Sequence, residues 1–169
     1  MTAKTTSVLM KTSKGNLTIE LDAQAAPKTV ENFLSYVQSG HYNGTIFHRV
    51  ISNFMIQGGG FTPDMNQKKT NPPIVNESSN GLGNLKYTLA MARTSVPDSA
   101  TSQFFINVSD NDFLDKANSR DRVGYCVFGK VASGTDVVEA IKAVATTTKK
   151  GHGDVPVDDV VIESVEILA

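Results

Sequence analysis

The chain has 169 residues, with 16 lysines and arginines against 17 aspartates and glutamates, a formal net charge of −1 and 40% hydrophobic residues. That length supports a single domain, residues 1–169, with a core of its own. The balanced charge argues against a nucleic-acid partner: a duplex binder needs a concentrated positive face, and Lys68-Lys69 and Lys149-Lys150 are too short to form one.

Near the start, the only apolar run is Val8-Leu9-Met10, too short for the hydrophobic region of a signal peptide. No later segment is long and apolar enough to span a membrane, so the cytoplasm is the expected compartment. "SVLMKT" and "NLTIEL" flank Ser13-Lys14-Gly15, and Leu17, Ile19 and Leu21 alternate with polar residues. Period two predicts a hairpin with one buried and one wet face. "APKTVENFLSYVQSG" predicts an amphipathic helix: Pro27 suits the first turn, Val30, Phe33, Leu34 and Val37 form a stripe, and Gly40 suits the stop.

"GTIFHRVI" and the shorter "FMIQ" read as strands. From Gly58 to about Lys86 the chain turns polar and punctuated, which predicts a long loop led by three glycines and bordering a functional surface. "YTLAMA", "SQFFINV" and "YCVFGKV" are further strands, the last carrying the single cysteine, Cys126. One cysteine makes no internal disulfide, and its apolar neighbours predict a small buried hydrophobe. "SGTDVVEAIKAVA" predicts a second helix, capped by Ser133 or Thr135, with Val137, Ala140, Ile141 and Val144 as its stripe. "DDVVIESVEIL" closes the chain as a strand. About eight short strands and two non-alternating helices argue against a parallel α/β sheet. They favour a mainly β fold, a closed antiparallel barrel with the helices over its open ends.

The chemistry is sparse. "GGGFTPD" lacks the ending of a phosphate-binding loop, there is no CxxC, and His41, His48 and His152 have no metal-ligand spacing. No GxSxG elbow marks a serine nucleophile. What stands out is polar groups on strands otherwise built for packing. In "SQFFINV", Phe104, Ile106 and Val108 share the core parity, while Gln103 and Phe105 share the other. Met55 pairs with Gln57 in the same way, and Phe47 and Ile51 share the parity of Arg49. Together they describe a shallow apolar patch edged by a guanidinium and two amides, suited to an extended peptide with one apolar side chain. Arginine stays protonated, so Arg49 is a donor and a fixed positive charge rather than a base.

"FHRVISNFMIQGGGF" and "SQFFINV", followed by "FLD" and "VFGKV", resemble the cyclophilins, a family of peptidyl-prolyl cis–trans isomerases. The likeness runs from Val8 to the last strand. Through "GFTPDMNQK", "LAMART" and "GYCVFGKV" it is similar to the short cytoplasmic bacterial members. The resemblance implies an eight-stranded antiparallel barrel closed by two helices, with the site on its outer face. It implies that Arg49 is catalytic, that Phe54, Met55, Phe105 and Leu114 wall a proline pocket, that Gln57 holds the arginine, and that Gln103 contacts the peptide. It also puts His48 at the border, and Ala92 and Arg93 beside the residues preceding proline; many relatives have asparagine in place of Arg93.

Phe113 stands where many eukaryotic members have tryptophan, and Tyr125 where a pocket-edge histidine is found. The resemblance therefore implies weak binding of cyclosporin-type inhibitors. The function it implies is isomerisation of X–Pro bonds in unfolded or flexible segments, as a monomer and without metal or cofactor. Two other readings share the residues: a proline-peptide binding module or holdase using the same patch, and a serine hydrolase using His48.

Overall fold

In the computed structural model, which describes residues 6–168, the first hairpin pairs β1 (Thr6–Thr12) with β2 (Gly15–Leu21). The alternation seen in the sequence decides its faces: Leu17, Ile19 and Leu21 are buried and the residues between them are not. The chain then enters α1 (Pro27–Gln38), which buries Val30, Phe33, Tyr36 and Val37. Its N-cap, Ala26, supplies no side-chain bond. Glu77, far along the sequence, does that work instead: its carboxylate accepts from the Thr29 N–H and hydroxyl, both at 2.7 Å, and from the Lys28 N–H at 3.4 Å. An anion at the positive end of the helix replaces a local cap. Gly40 follows the helix with φ +74°, the left-handed geometry of a stop.

β3 (Thr45–Ile51) and β4 (Met55–Phe61) come next, and after the long polar segment β5 (Thr88–Met91), β6 (Phe104–Asn107) and β7 (Val127–Ser133). α2 (Thr135–Lys142) and β10 (Val161–Leu168) complete the frame. The strands close into an antiparallel barrel in the order β1-β10-β3-β4-β6-β5-β7-β2. This is the mainly β, eight-stranded barrel with two helices that the sequence predicts. Phe33 of α1 packs against Tyr42, Phe104 and Phe128, so the helix is welded to the barrel interior. With the inside filled by side chains, a ligand can only be met on the outer surface.

Four details differ from the sequence reading. The three glycines belong to β4 and not to a loop, because each lets another group approach the strand. A Cβ on Gly58 would stand 2.8 Å from the Ile46 carbonyl, one on Gly59 2.8 Å from the Tyr42 ring, and one on Gly60 2.5 Å from Gln103 Cγ. α2 is capped by neither Ser133 nor Thr135; Gly134 takes the position with φ +93°, where a Cβ would meet the Asn16 carbonyl at 2.4 Å. Its buried face runs through Val137, Val138 and Ile141, which turns Ala140 out to solvent, and Val144 lies beyond the helix end. A further ribbon, β8 (Thr146–Lys149) with β9 (His152–Pro156), sits outside the barrel. Val155 of β9 packs there with Ile46, Phe61 and Met65.

Candidate active site

Residues of alternate parity on β4 and β6 face opposite ways. Phe104, Ile106 and Val108 join the main core, whereas Met55, Phe105, Ala90, Leu114 and Val127 form a second apolar cluster on the outside. Ile51, Phe54, Leu82, Ala92 and Tyr125 pack around it, partly buried. Across the strands one row reads Arg49, Gln57, Phe105, Ala90, each the register partner of the next. Directly opposed side chains stand about 5 Å apart at Cβ, so the guanidinium, an amide and the ring occupy one strip of surface.

The strand carrying Arg49 is irregular. Register shifts on either side of Phe47 break the simple alternation of β3. As a result Phe47 does not share a face with Arg49, as its parity implied; it is fully buried and meets Phe104 in the core. His48 is buried against the Phe61 ring, 4.4 Å between centroids, while Arg49 is exposed. His48 Nδ1 has no hydrogen-bond partner among the described residues. Burial, with smaller contributions from the charges of His152 and Arg49, lowers its pKa to about 4. His48 is thus neutral at physiological pH, and no hydroxyl among the described residues hydrogen-bonds it as a nucleophile would.

The amides are paired with each other. Gln57 Nε2 donates to Gln103 Oε1 at 2.9 Å. Gln57 faces Arg49 across β3–β4, yet among the described residues no hydrogen bond joins the two, so the expected Gln57–Arg49 tether is a neighbourhood rather than a bond here. Gln103 lies across Gly60, and its backbone carbonyl accepts from the Ala92 N–H at 3.0 Å. Arg93 is turned under the rim with its side chain 3% exposed, bonded to Gly124, Thr94 and Asp121. Phe113 projects from a single 3₁₀ turn, Asp112–Leu114, 54% exposed and 5.5 Å from the Phe54 ring. Tyr125 stands edge-on to Phe105 at 5.7 Å. A separate hollow of about 440 Å³ between Glu20–Gln24 and Leu82–Leu85 lies behind this wall, sharing Leu82 and Val127 with it.

Sequence reasoning missed what supports the patch. Asn111 Nδ2 donates to the Phe54 carbonyl at 2.7 Å and to Asn107 Oδ1 at 2.8 Å. Asn107 in turn donates to Asn84 Oδ1 and Thr88 Oγ1, and Asp115 accepts from both the N–H and the side chain of Asn84. All three asparagines are buried. Fully bonded networks of this kind hold a shape, here the positions of Phe54 and of the turn bearing Phe113 and Leu114. The only trace in the sequence is the asparagines of "GLGNL", "INVSDND" and their neighbours, which read as ordinary loop residues.

A closed antiparallel barrel bearing an exposed arginine beside an outward apolar patch defines a class, and the sequence comparison agrees. The family profile described as "Cyclophilin type peptidyl-prolyl cis-trans isomerase/CLD" matches residues 7–167, and the chain belongs to that family. It is 63% identical over 163 residues to the peptidyl-prolyl cis-trans isomerase cyp18 of Streptomyces antibioticus, covering 96% of this chain and 98% of that protein. It is 56% identical over 161 residues to peptidyl-prolyl cis-trans isomerase B of Escherichia coli, covering 95% and 98%. Among solved structures, a cyclophilin type isomerase of Cryptosporidium parvum superposes with a TM-score of 0.80 at 27% identity, covering 98% and 99% of the two chains. The same protein crystallised in the presence of the dipeptide Ala-Pro gives 0.78 at 28% identity, covering 96% and 99%.

Proposed function

We propose that this single-domain chain catalyses rotation about X–Pro bonds through Arg49, with Met55, Phe105, Leu114 and the partly buried Phe54 holding the proline ring. The observation that carries the reading is the strip Arg49–Gln57–Phe105, which sets an exposed arginine beside an apolar floor. The planar peptide bond resists rotation by ~18–20 kcal/mol, and uncatalysed X–Pro exchange takes on the order of tens of seconds or more. As the bond twists, conjugation is lost and the prolyl nitrogen gains a localised lone pair. A donor aimed at that nitrogen binds the twisted state better than either planar one, which is the condition for catalysis. An apolar floor helps further, because the twisted amide is the less polar form. Lowering the barrier by ~8 kcal/mol would accelerate exchange about a million-fold.

Gln57 and Gln103 brace one another and present amides to the peptide backbone, and the Ala92–Arg93 edge lies beside the residues before proline. Neutral, buried His48 borders the site without exchanging a proton. Phe113 and Tyr125 give the rim an aromatic character without the tryptophan of many relatives, in keeping with weak cyclosporin-type inhibition. The substrates are proline-containing segments of unfolded or flexible chains, and the role is assistance to folding by a monomer in the cytoplasm.

The test is an isomerisation assay on a proline tetrapeptide. Arg49→Ala is expected to lose on the order of a hundredfold to a thousandfold in kcat/KM, the scale of removing one preorganised donor, with Tm unchanged because the side chain is exposed. Arg49→Lys should remain poor, since a point charge does not reproduce the planar fork. Rates should be nearly flat between about pH 6 and 9 because arginine does not titrate there. Full activity in Arg49→Ala would sink the assignment and leave a proline-peptide binding module.

A further inference from the structure

The rim beside Ala92 is held by a charged arrangement that the isomerisation chemistry does not use. Arg93 borders an open patch, yet its side chain is 3% exposed, with its N–H groups bonded and a ring lying over the guanidinium. Nε donates to the Gly124 carbonyl at 3.0 Å, Nη1 to the Thr94 carbonyl at 2.9 Å, and Nη2 to Asp121 Oδ2 at 2.5 Å. The guanidinium carbon then lies 4.6 Å from the centre of the Tyr125 ring. The same ring meets Phe105 edge-on, 5.7 Å between centroids, and the Tyr125 N–H donates to the Leu114 carbonyl at 3.0 Å.

Asp121 divides its two oxygens between two tasks. Oδ1 accepts from Ser119 Oγ, the Val123 N–H and the Gly124 N–H at 3.0, 3.0 and 3.2 Å, which folds the loop. Oδ2 is given wholly to Arg93. The guanidinium, with the loop N–H groups, holds the Asp121 carboxyl well below the usual carboxylate range.

We propose that Asp121 is a positioning residue for the proline pocket: by clamping Arg93 against the Tyr125 ring it fixes that ring beside Phe105 and sets how tightly the pocket grips the ring of an X–Pro substrate. An aromatic wall with nothing behind it must be ordered when ligand arrives, and that ordering cost is subtracted from binding. A guanidinium held over the ring removes the cost beforehand, and only the planar fork of arginine can lie over an aromatic ring while bonded to three acceptors. Arg49 is separated by Gln57 from Phe105, the strip residue that Tyr125 meets. The wall therefore grips planar and twisted substrate alike, and its loss falls on KM rather than on kcat. The inference rests on the outer cluster being the proline site.

Asp121→Asn is the informative variant, because its remaining oxygen can still serve the loop while an amide N–H₂ turns against Arg93. The expected result is a KM raised roughly fivefold, the scale of one lost cation–π contact, with kcat within about twofold and Tm nearly unchanged. In NMR spectra the Arg93 Nε–H, sheltered by the Gly124 carbonyl in the wild type, should exchange faster. Arg93→Met should raise KM similarly, and the double variant should be no worse than either single one, as residues acting as one unit require. A wild-type KM in Asp121→Asn overturns the proposal. So does a raised KM with the Arg93 Nε–H still sheltered, or an additive double variant. Arg49→Ala run alongside separates the two ideas: if it is inactive, a wild-type KM in Asp121→Asn removes only the clamp, whereas if it is active the site assignment itself fails.

Discussion

Gly60→Ala places one methyl group at the junction of barrel and site. The added Cβ would stand 2.5 Å from Gln103 Cγ, 2.7 Å from its Nε2 and 2.8 Å from its Cδ. Gly60 lies outside the left-handed region, so alanine suits its backbone and the side chain of Gln103 must give way. Rotating it breaks the 2.9 Å bond from Gln57, worth about 1 kcal/mol, and an imperfect rotamer adds about 1 kcal/mol more. Both partners reach solvent at the rim, so stability should fall by no more than ~2 kcal/mol, while the peptide-facing amides lose their alignment. A misalignment of ~1.4 kcal/mol in the transition state lowers kcat/KM tenfold.

Gly59→Ala is the internal control. Its φ is +91° and its Cβ would press on the buried rings of Tyr42 and Phe104 at 2.8 and 2.9 Å, which cannot retreat. Overpacking and backbone strain together should cost about 3 kcal/mol, a fall in Tm of roughly 6–12 °C. Tetrapeptide isomerisation and thermal unfolding by circular dichroism measure the two effects. Wild-type kcat/KM in Gly60→Ala, or a loss of Tm equal to that of Gly59→Ala, would refute the reasoning.

Glu77→Ala removes the distant cap of α1 and should lower stability by about 1 kcal/mol, or ~2–4 °C in Tm, with isomerisation intact; an unchanged Tm would mean that water caps the helix equally well. His48 should make the protein acid-sensitive. Its folded pKa, about 4 against 6.5 for the free side chain, means the unfolded chain binds its proton first, so stability is full above about pH 6.5 and is lost as pH falls toward 4. The difference of pKa corresponds to about 3 kcal/mol. Denaturant titrations of His48→Asn should show a shallower slope in that window, and an unchanged slope would assign the acid sensitivity to other groups.

Period-two alternation made the hairpin and the division of β6 into inner Phe104 and outer Phe105 legible, because one-sided burial leaves its mark on every second residue. It failed at Phe47, where register shifts rephase β3, since a bulge is set by the partner strand and not by the residues that form it. It failed again at the three glycines. Their composition reads as a loop, yet what they answer to is the proximity of Ile46, Tyr42, Phe104 and Gln103, all distant in sequence. Arg49, Phe105 and Gln103 were legible as polar and aromatic anomalies on packing strands. Glu77, Asn107, Asn111 and Asp121 were not, because a residue that acts by holding another shows its purpose only in three dimensions.

The barrel's seam lies between β1 and β10, where Ser7 faces Leu168 and Met10 faces Val165. The first and last strands of the fold are therefore the pair that shuts it. During synthesis β1 can fold back on β2 at once, but its other edge stays bare until nearly every later residue has left the ribosome. A chain cut short before β10 would expose two unpaired edges, on β1 and β3, each a template for a foreign strand. The same adjacency offers a remedy to the engineer: bridging the seam with a short linker and reopening the chain at the exposed Lys150-Gly151 turn would give a permuted protein in which β10 and β1 pair at the start of synthesis and the last closure passes to β7 on β2.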